Sequence, residues 1–292
     1  MTIRNTQRPE WPDDLRSSRL ASTFKTETPD GCQIGLLGVP DDTGVRMNHG
    51  RPGAAQGPRG LRAALAAYGA LDFAGGSYPS VFDAGDVKPG DSLEETHQRV
   101  TEAATDLLDA GLLPIAIGGG HDLTFPFVRA LAQKTDGRPV GVYFDAHLDV
   151  RDEPGSGMSF RRLVEECGVK ELYVYGLDPA ANATEHMDWF ASHGGRMDPF
   201  GPDDEWPQGE LFVSFDLDVI DQAFAPGVSA MNPAGWSAAE ACRWAHASGR
   251  CPRVRCFDIM ELAPPLDETG RTARLAARLL LEFLRGYSER RG

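Results

Sequence analysis

Three short apolar runs in this chain each end in side chains able to bind a metal ion. Residues 113–117 lead into Gly118-Gly119-Gly120-His121-Asp122, residues 140–144 into Asp145-Ala146-His147-Leu148-Asp149, and residues 211–215 into Asp216-Leu217-Asp218. Alternate residues of an extended segment point to the same side, so Asp145, His147 and Asp149 can converge on one cavity, as can Asp216 and Asp218. His121 follows three glycines, where the backbone can turn sharply and approach a cavity closely. Any one fragment can equally be a turn capped by its Asp side chains. Together they put two imidazoles and four carboxylates at successive strand ends, where unpaired carboxylates would repel one another strongly. Two divalent cations would neutralise that charge, and a carboxylate-rich set without thiolates favours Mn²⁺ or a similar cation over structural zinc, with Zn²⁺, Co²⁺ and Ni²⁺ left open. Two metals about 3.5–4 Å apart make a water between them nucleophilic near neutral pH, which equips a hydrolase.

These residues need a scaffold, and the rest of the chain predicts one. Apolar runs at 34–38, 113–117, 140–144, 172–175, 211–215 and 254–259 mostly lack polar alternation, as strands covered on both faces do. Between them lie segments of helical period at 59–68, 93–110, 125–133, 238–248 and 271–284. Strand–helix alternation predicts one α/β domain over residues 31–292 with helices on both faces of a parallel sheet, whose ligands gather at the carboxyl ends of strands. Residues 1–30, polar and interrupted by Pro9, Pro12 and Pro29, read as an irregular N-terminal arm, and the Gly/Pro/Asp-rich stretch 182–208 as a loop or excursion.

Composition narrows the classes of function. The 292 residues carry a net charge of −14, which argues against a nucleic-acid partner, since a phosphate backbone needs a positive face. No apolar run is long enough to span a membrane. Five cysteines without a CxxC pair argue against a disulfide framework or a cysteine zinc site, and the amino terminus lacks an apolar signal segment, so the expected location is cytoplasmic.

The three acidic motifs, Gly118-Gly-Gly-His121, Asp145-Ala-His147-Leu-Asp149 and Ser214-Phe-Asp216-Leu-Asp218, resemble the metal motifs of the arginase–agmatinase–formimidoylglutamase (ureohydrolase) superfamily. The resemblance runs from about residue 34 to 285. It implies a three-layer α/β/α fold around a mostly parallel eight-stranded sheet, and two Mn²⁺ per chain. One ion would be held by His121, Asp145, Asp149 and Asp216, the other by Asp145, His147, Asp216 and Asp218, with Asp145 and Asp216 bridging. It also implies hydrolysis of C–N bonds in amidines or guanidines, and a possible homo-oligomer.

Four further segments resemble formimidoylglutamase more than arginase or agmatinase: residues 44–58, Ser156-Gly157-Met158-Ser159-Phe160-Arg161, Ala225-Pro226-Gly227-Val228-Ser229-Ala230, and residues 258–276. No histidine stands between His147 and His186, where arginases tend to carry a proton-shuttling one. Thr43, Met47, Met158-Ser159 and Ala263 depart from the usual pattern without touching a metal motif. The implied substrate is N-formimidoyl-L-glutamate, cleaved to L-glutamate and formamide. In this reading Asp149 takes the proton of the attacking water and passes it to the departing amine, and Glu261 orients the cationic amidinium by charge-assisted hydrogen bonds. The substrate's two carboxylates need local positive charge in an acidic protein. The expected donors are Arg51, Arg161 and Arg271, with Asn48 and Ser156. Arg161 can instead pair with Glu165 at i+4, Asp122 can cap the following helix or support His121, and His49 reads as a loop residue. The nearest rival is a ureohydrolase for a guanidino compound such as agmatine, guanidinobutyrate or arginine.

Overall fold

The computed structural model describes residues 3–70, 77–135, 138–198 and 200–290. Among the described residues, nine strands form one sheet: β1 (Thr6–Gln7), β2 (Ile34–Gly38), β3 (Val81–Val87), β4 (Leu113–Ile117), β5 (Val140–Phe144), β6 (Leu172–Tyr175), β7 (Gly195–Met197), β8 (Leu211–Asp216) and β9 (Val254–Met260). Their order is β1-β3-β2-β4-β9-β8-β5-β6-β7, and every pair is parallel except β1 with β3. Four strands that precede candidate site residues, β4, β9, β8 and β5, are therefore neighbours at the centre of the sheet. Their carboxyl ends lie side by side.

The described residues include eight α-helices: α1 (Thr43–Met47), α2 (Gly57–Leu65), α3 (Leu93–Asp109), α4 (Thr124–Lys134), α5 (Ser159–Cys167), α6 (Thr184–Ser192), α7 (Ala238–Arg250) and α8 (Arg271–Ser288). Helices α2, α7 and α8 share one apolar cluster with Ile115, Val142 and Phe144, and helices α3 to α6 share the other with Ala116, Tyr143 and Phe212. Alternate strand residues thus enter opposite cores, and the sheet is apolar on both faces. Local signals set the helix ends. The Ser92 and Ser237 hydroxyls accept from the backbone N–H groups of Glu95 and Glu240, and Gly168, left-handed at φ 70°, ends α5. Among the described residues, no helix is long and apolar enough to cross a membrane.

Three expectations change. The ninth strand is β1, contributed by the arm, which is therefore not wholly irregular: Ile3 is buried, and Arg4 clasps Asp106 on α3 at 2.7 Å. The stretch 182–208 contains α6 and β7, hidden by its mixed composition. Strand β3 lies outside every apolar run because it carries two acids, Asp83 and Asp86. Both are neutralised by Arg62 of α2, fully buried, whose Nε donates to Asp83 Oδ2 at 2.9 Å and whose Nη1 donates to Asp86 Oδ1 at 2.6 Å. Beside them Gly85 has φ 85°, and a Cβ there would lie 1.8 Å from the carbonyl oxygen of Gln7, so β1 can close on β3 only over a glycine.

Removing one member of a buried ion cluster leaves its partners uncompensated. Arg62→Met should lower unfolding free energy by roughly 3–5 kcal/mol, read from urea denaturation of the metal-free protein. A loss below about 1 kcal/mol, the range of an exposed ion pair, would contradict the role given to this cluster.

Candidate metal centre and active-site cavity

His121 follows β4 through two glycines held left-handed, Gly118 at φ 78° and Gly119 at φ 80°. A Cβ at Gly118 would meet Pro58 Cδ at 2.3 Å and one at Gly119 the Val39 carbonyl oxygen at 2.3 Å, so only glycine lets this turn pack under α2. The turn brings His121 Nδ1 to 3.1 Å from Asp145 Oδ2, 2.8 Å from Asp149 Oδ2 and 3.0 Å from Asp216 Oδ2. His147 Nδ1 lies 3.1 Å from Asp218 Oδ2 and 3.4 Å from Asp145 Oδ1. Two groups able to hold a cation result: His121, Asp145, Asp149 and Asp216, and beside it Asp145, His147 and Asp218.

Asp145 belongs to both groups. Asp216 joins the first, and its Oδ1 accepts the Asp218 backbone N–H at 2.8 Å, holding the turn after β8.

The residues present fit a pair of cations. His121 Nδ1, Asp145 Oδ2, Asp218 Oδ1 and Glu261 Oε2 are buried without a hydrogen-bond partner among the described residues. Buried polar atoms left so are rare and costly unless something else occupies them. The ring nitrogen of His121 that faces away from the carboxylates is fixed. Ser214 Oγ donates to Asp258 Oδ1 at 2.6 Å, so His121 Nε2, 3.0 Å from Ser214 Oγ, must be the donor in that contact. A proton on Nε2 leaves a lone pair on Nδ1, the tautomer that a metal ligand needs. Thr124 Oγ1 donates to the other oxygen of Asp258 at 3.0 Å. Phe160 packs edge-on against the imidazole, with Tyr143 stacked behind it.

Electrostatics report the same crowding. Burial pushes the Asp145 carboxyl up to about 6, with the charges of Asp149 and Asp218 adding to it. Burial and Asp218 likewise hold Asp216 well above the usual range. Burial alone would lower the His121 imidazole, but the charge of Asp216 and the contacts to Asp145 and Asp149 raise it well above its ordinary value. Without cations, protons take their place.

Glu261 stands at the end of β9 with φ 68°, and Asp149 has φ 49°, both strained for residues other than glycine. Glu261 Oε1 accepts the His121 backbone N–H at 2.9 Å, while Oε2 is unpartnered. Burial is the main reason that its carboxyl rises to about 8, with Asp218 and Asp149 contributing.

An open cavity of about 180 Å³ is lined by His121, His147, Asp149, Asp216, Asp218 and Glu261, joined by Asn48 and Ser156. The three arginines expected to serve the substrate do not line it. Arg51 donates to the Ser229 and Val228 carbonyls, Arg271 to Thr269 Oγ1 and the Ala223 carbonyl, and Arg161 is bound to Glu165 and Asp152 over the Trp189 ring. Each has local acceptors that hold its guanidinium elsewhere. Asp122 does not cap α4; its Oδ2 meets His97 Nε2 at 3.0 Å. His49 is a loop residue outside the cavity lining, at φ 58°.

Sequence reading missed Arg151, Asn182 and His186 in the cavity wall. Arg151 continues the i, i+2 spacing of Asp145, His147 and Asp149, a signal that was available. Asn182 Oδ1 accepts from Leu148 N and its Nδ2 donates to the Ala146 carbonyl, so one amide grips the backbone on both sides of His147. No spacing rule points to that contact across 34 residues.

A model of the arginase family matches residues 32–285, most of the chain. The chain belongs to the arginase family. Among curated proteins of this family, the formimidoylglutamase of Aromatoleum aromaticum is 36% identical over 96% of this chain and 90% of its own length. The human mitochondrial guanidino acid hydrolase is 32% identical over 88% of this chain and 79% of its own. The formiminoglutamase of Trypanosoma cruzi, crystallised with Mn²⁺, superposes with a TM-score of 0.85 at 28% identity, covering 94% of this chain and 99% of that one. This arginase-family chain is accordingly a hydrolase of amidine or guanidino C–N bonds.

Two outcomes follow from this geometry. Ser214→Ala removes the acceptor that fixes the His121 tautomer and should weaken Mn²⁺ binding by roughly 10–100-fold, measured by competition with a fluorescent chelator; unchanged affinity would remove that role. The second concerns pH. Because the Glu261 carboxyl titrates at about 8 in the fold against 4.5 ordinarily, the folded chain holds the extra proton between these values. Its contribution is full below pH about 4.5 and is lost as pH rises through about 8. In thermal melts of chelated protein, Glu261→Gln should therefore gain stability over the natural chain progressively from pH 5 to pH 8. A difference that does not vary with pH would contradict the shift.

Proposed function

We propose that this chain hydrolyses N-formimidoyl-L-glutamate to L-glutamate and formamide, with two Mn²⁺ ions held by the two groups that share Asp145. The observation that carries the reading is the pairing of those groups with an unpartnered carboxylate oxygen of Glu261 beside them. When bound, two divalent cations supply a nucleophilic water at neutral pH and polarise the carbon under attack. Every other task falls to side chains. Glu261 Oε2 accepts from the amidinium N–H groups and orients the amidine carbon, and the cation replaces the proton that the buried carboxyl otherwise retains. Its other oxygen stays on the His121 backbone N–H, so substrate and metal ligand are registered on one carboxylate. Asp149, in the cavity and next to His121, accepts the proton of the attacking water and delivers it to the amine that departs.

The choice of an amidine over a guanidine rests on the greater likeness to formimidoylglutamase, supported by the motif segments around Ser156 and Val228. The likeness to a guanidino acid hydrolase supports a second reading, in which a guanidino acid is cleaved to urea.

The two readings differ in the product released. With protein reconstituted in Mn²⁺, formimidoylglutamate should give formamide and glutamate with a kcat/KM at least about 100-fold above that for 4-guanidinobutyrate, agmatine or arginine, each scored for urea; a tenfold ratio is about 1.4 kcal/mol of transition-state binding. Urea from guanidinobutyrate as the dominant activity would overturn the formimidoyl assignment in favour of the second reading.

A further inference from the structure

A second cavity, of about 370 Å³, lies among α3, α4 and α5 and shares no lining residue with the first. Part of its wall is apolar, from Leu93, Phe125 and Met158, all buried. Beside that wall stand the Arg129 guanidinium and the His97 imidazole. Arg129 is half-buried and has no ion pair among the described residues. Its Nε donates to Thr101 Oγ1 at 2.9 Å and its Nη2 to the His97 carbonyl at 3.2 Å, which leaves Nη1 uncommitted. The guanidinium lies 5.0 Å from the centre of the Phe125 ring, so it is held in place before any ligand arrives. Burial lowers its basicity, as it must for a cation drawn from water without an anion beside it. The acids of the cavity do not supply that anion. Glu166 is taken by Arg162 at 3.0 Å, and Glu94 is exposed in the first turn of α3.

His97 offers the opposite chemistry. Its Nε2 meets Asp122 Oδ2 at 3.0 Å, and its Nδ1 has no hydrogen-bond partner among the described residues. Facing a carboxylate, Nε2 carries the proton, so Nδ1 of the neutral ring is an acceptor. The cavity thus presents a cationic donor, a neutral acceptor and an apolar wall. A carboxylate, an amino group and an apolar side chain on one small molecule would satisfy all three.

The same imidazole reaches toward the metal centre. Asp122 follows His121 in the chain and is buried, and the contact with His97 is the one hydrogen bond its carboxylate makes among the described residues. Its other oxygen is wedged against glycines: a Cβ at Gly44 would lie 2.1 Å from it, and one at Gly120 2.7 Å. A carboxylate packed so closely and anchored at one point must follow its anchor. A ligand on His97 Nδ1 therefore acts on the turn that carries His121.

We propose that this second cavity is an effector site for an α-amino acid with an apolar side chain, its carboxylate on Arg129 and its amino group on His97 Nδ1, and that its occupancy is felt at His121 through Asp122. The site is separate from the one assigned to the substrate and does not depend on which amidine is cleaved.

The test is calorimetry on Mn²⁺-reconstituted protein with L-phenylalanine as the probe, beside 3-phenylpropanoate, which lacks the amino group, and phenethylamine, which lacks the carboxylate. L-Phenylalanine should bind, and each analogue should bind at least about 10-fold more weakly, the value of a hydrogen bond to a charged group. Arg129→Met keeps the stem over Phe125 and should weaken L-phenylalanine by a similar factor. Arg151→Ala should leave its affinity unchanged, because Arg151 lines only the first cavity. Coupling is reciprocal, so the affinity for L-phenylalanine should differ by about 5-fold or more between Mn²⁺-loaded and chelated protein. Absence of binding, equal binding of either analogue, or indifference to Arg129→Met would overturn the site. Equal affinity with and without Mn²⁺ would overturn its link to His121. The analogues need no variant, so the test stands even if Arg129→Met does not fold.

Discussion

Carboxylates packed together out of water repel one another, and that repulsion is the constraint around which this molecule is organised. Asp145, Asp216, Asp218 and Glu261 are all buried, with Asp149 close by, and the imidazoles of His121 and His147 stand against them. The raised proton affinities of Asp145, Asp216 and Glu261 reflect that cost. Such an arrangement persists because the surrounding structure over-determines it, from the left-handed glycines before His121 to the strained backbone at Asp149 and Glu261.

The chain contains two answers to the same problem. On β3, Asp83 and Asp86 are neutralised by Arg62, whose guanidinium fills the space between them, and nothing further is required. At the ends of β5 and β8, among the described residues, no arginine or lysine pairs with the carboxylates. Ser214, Thr124 and Asp258 spend their hydrogen bonds on fixing one imidazole instead. A permanent internal cation makes a structural cluster, whereas a cluster left short of positive charge remains open to ions and substrate.

Much of this was legible in the sequence, because strand ends and metal-capable residues coincide in three places and their alternation is a local property. The helices at 93–110 and 238–248 were legible for the same reason: each has helical periodicity and a serine at its start. What could not be read depends on contacts distant in the chain. The adjacency of β4, β9, β8 and β5 is a matter of strand order, which no local pattern encodes. Strand β3 was hidden by the acids that Arg62 neutralises from another element. The positions of the arginines could not be read because a guanidinium reaches far, and its destination depends on the nearest acceptors: a carbonyl at Val228 for Arg51, a helix neighbour for Arg161. Arg151, two residues beyond Asp149, reaches the cavity by the same alternation that places the metal motif.

The margins of the sheet carry a consequence of their own. One side terminates in the two residues of β1, laid antiparallel across Gly85, and the other in the three residues of β7, where Met197 is half exposed. Neither border leaves a long row of free backbone donors and acceptors to template another chain. Short margins of this kind disfavour continuation of the sheet from one copy of the molecule into another.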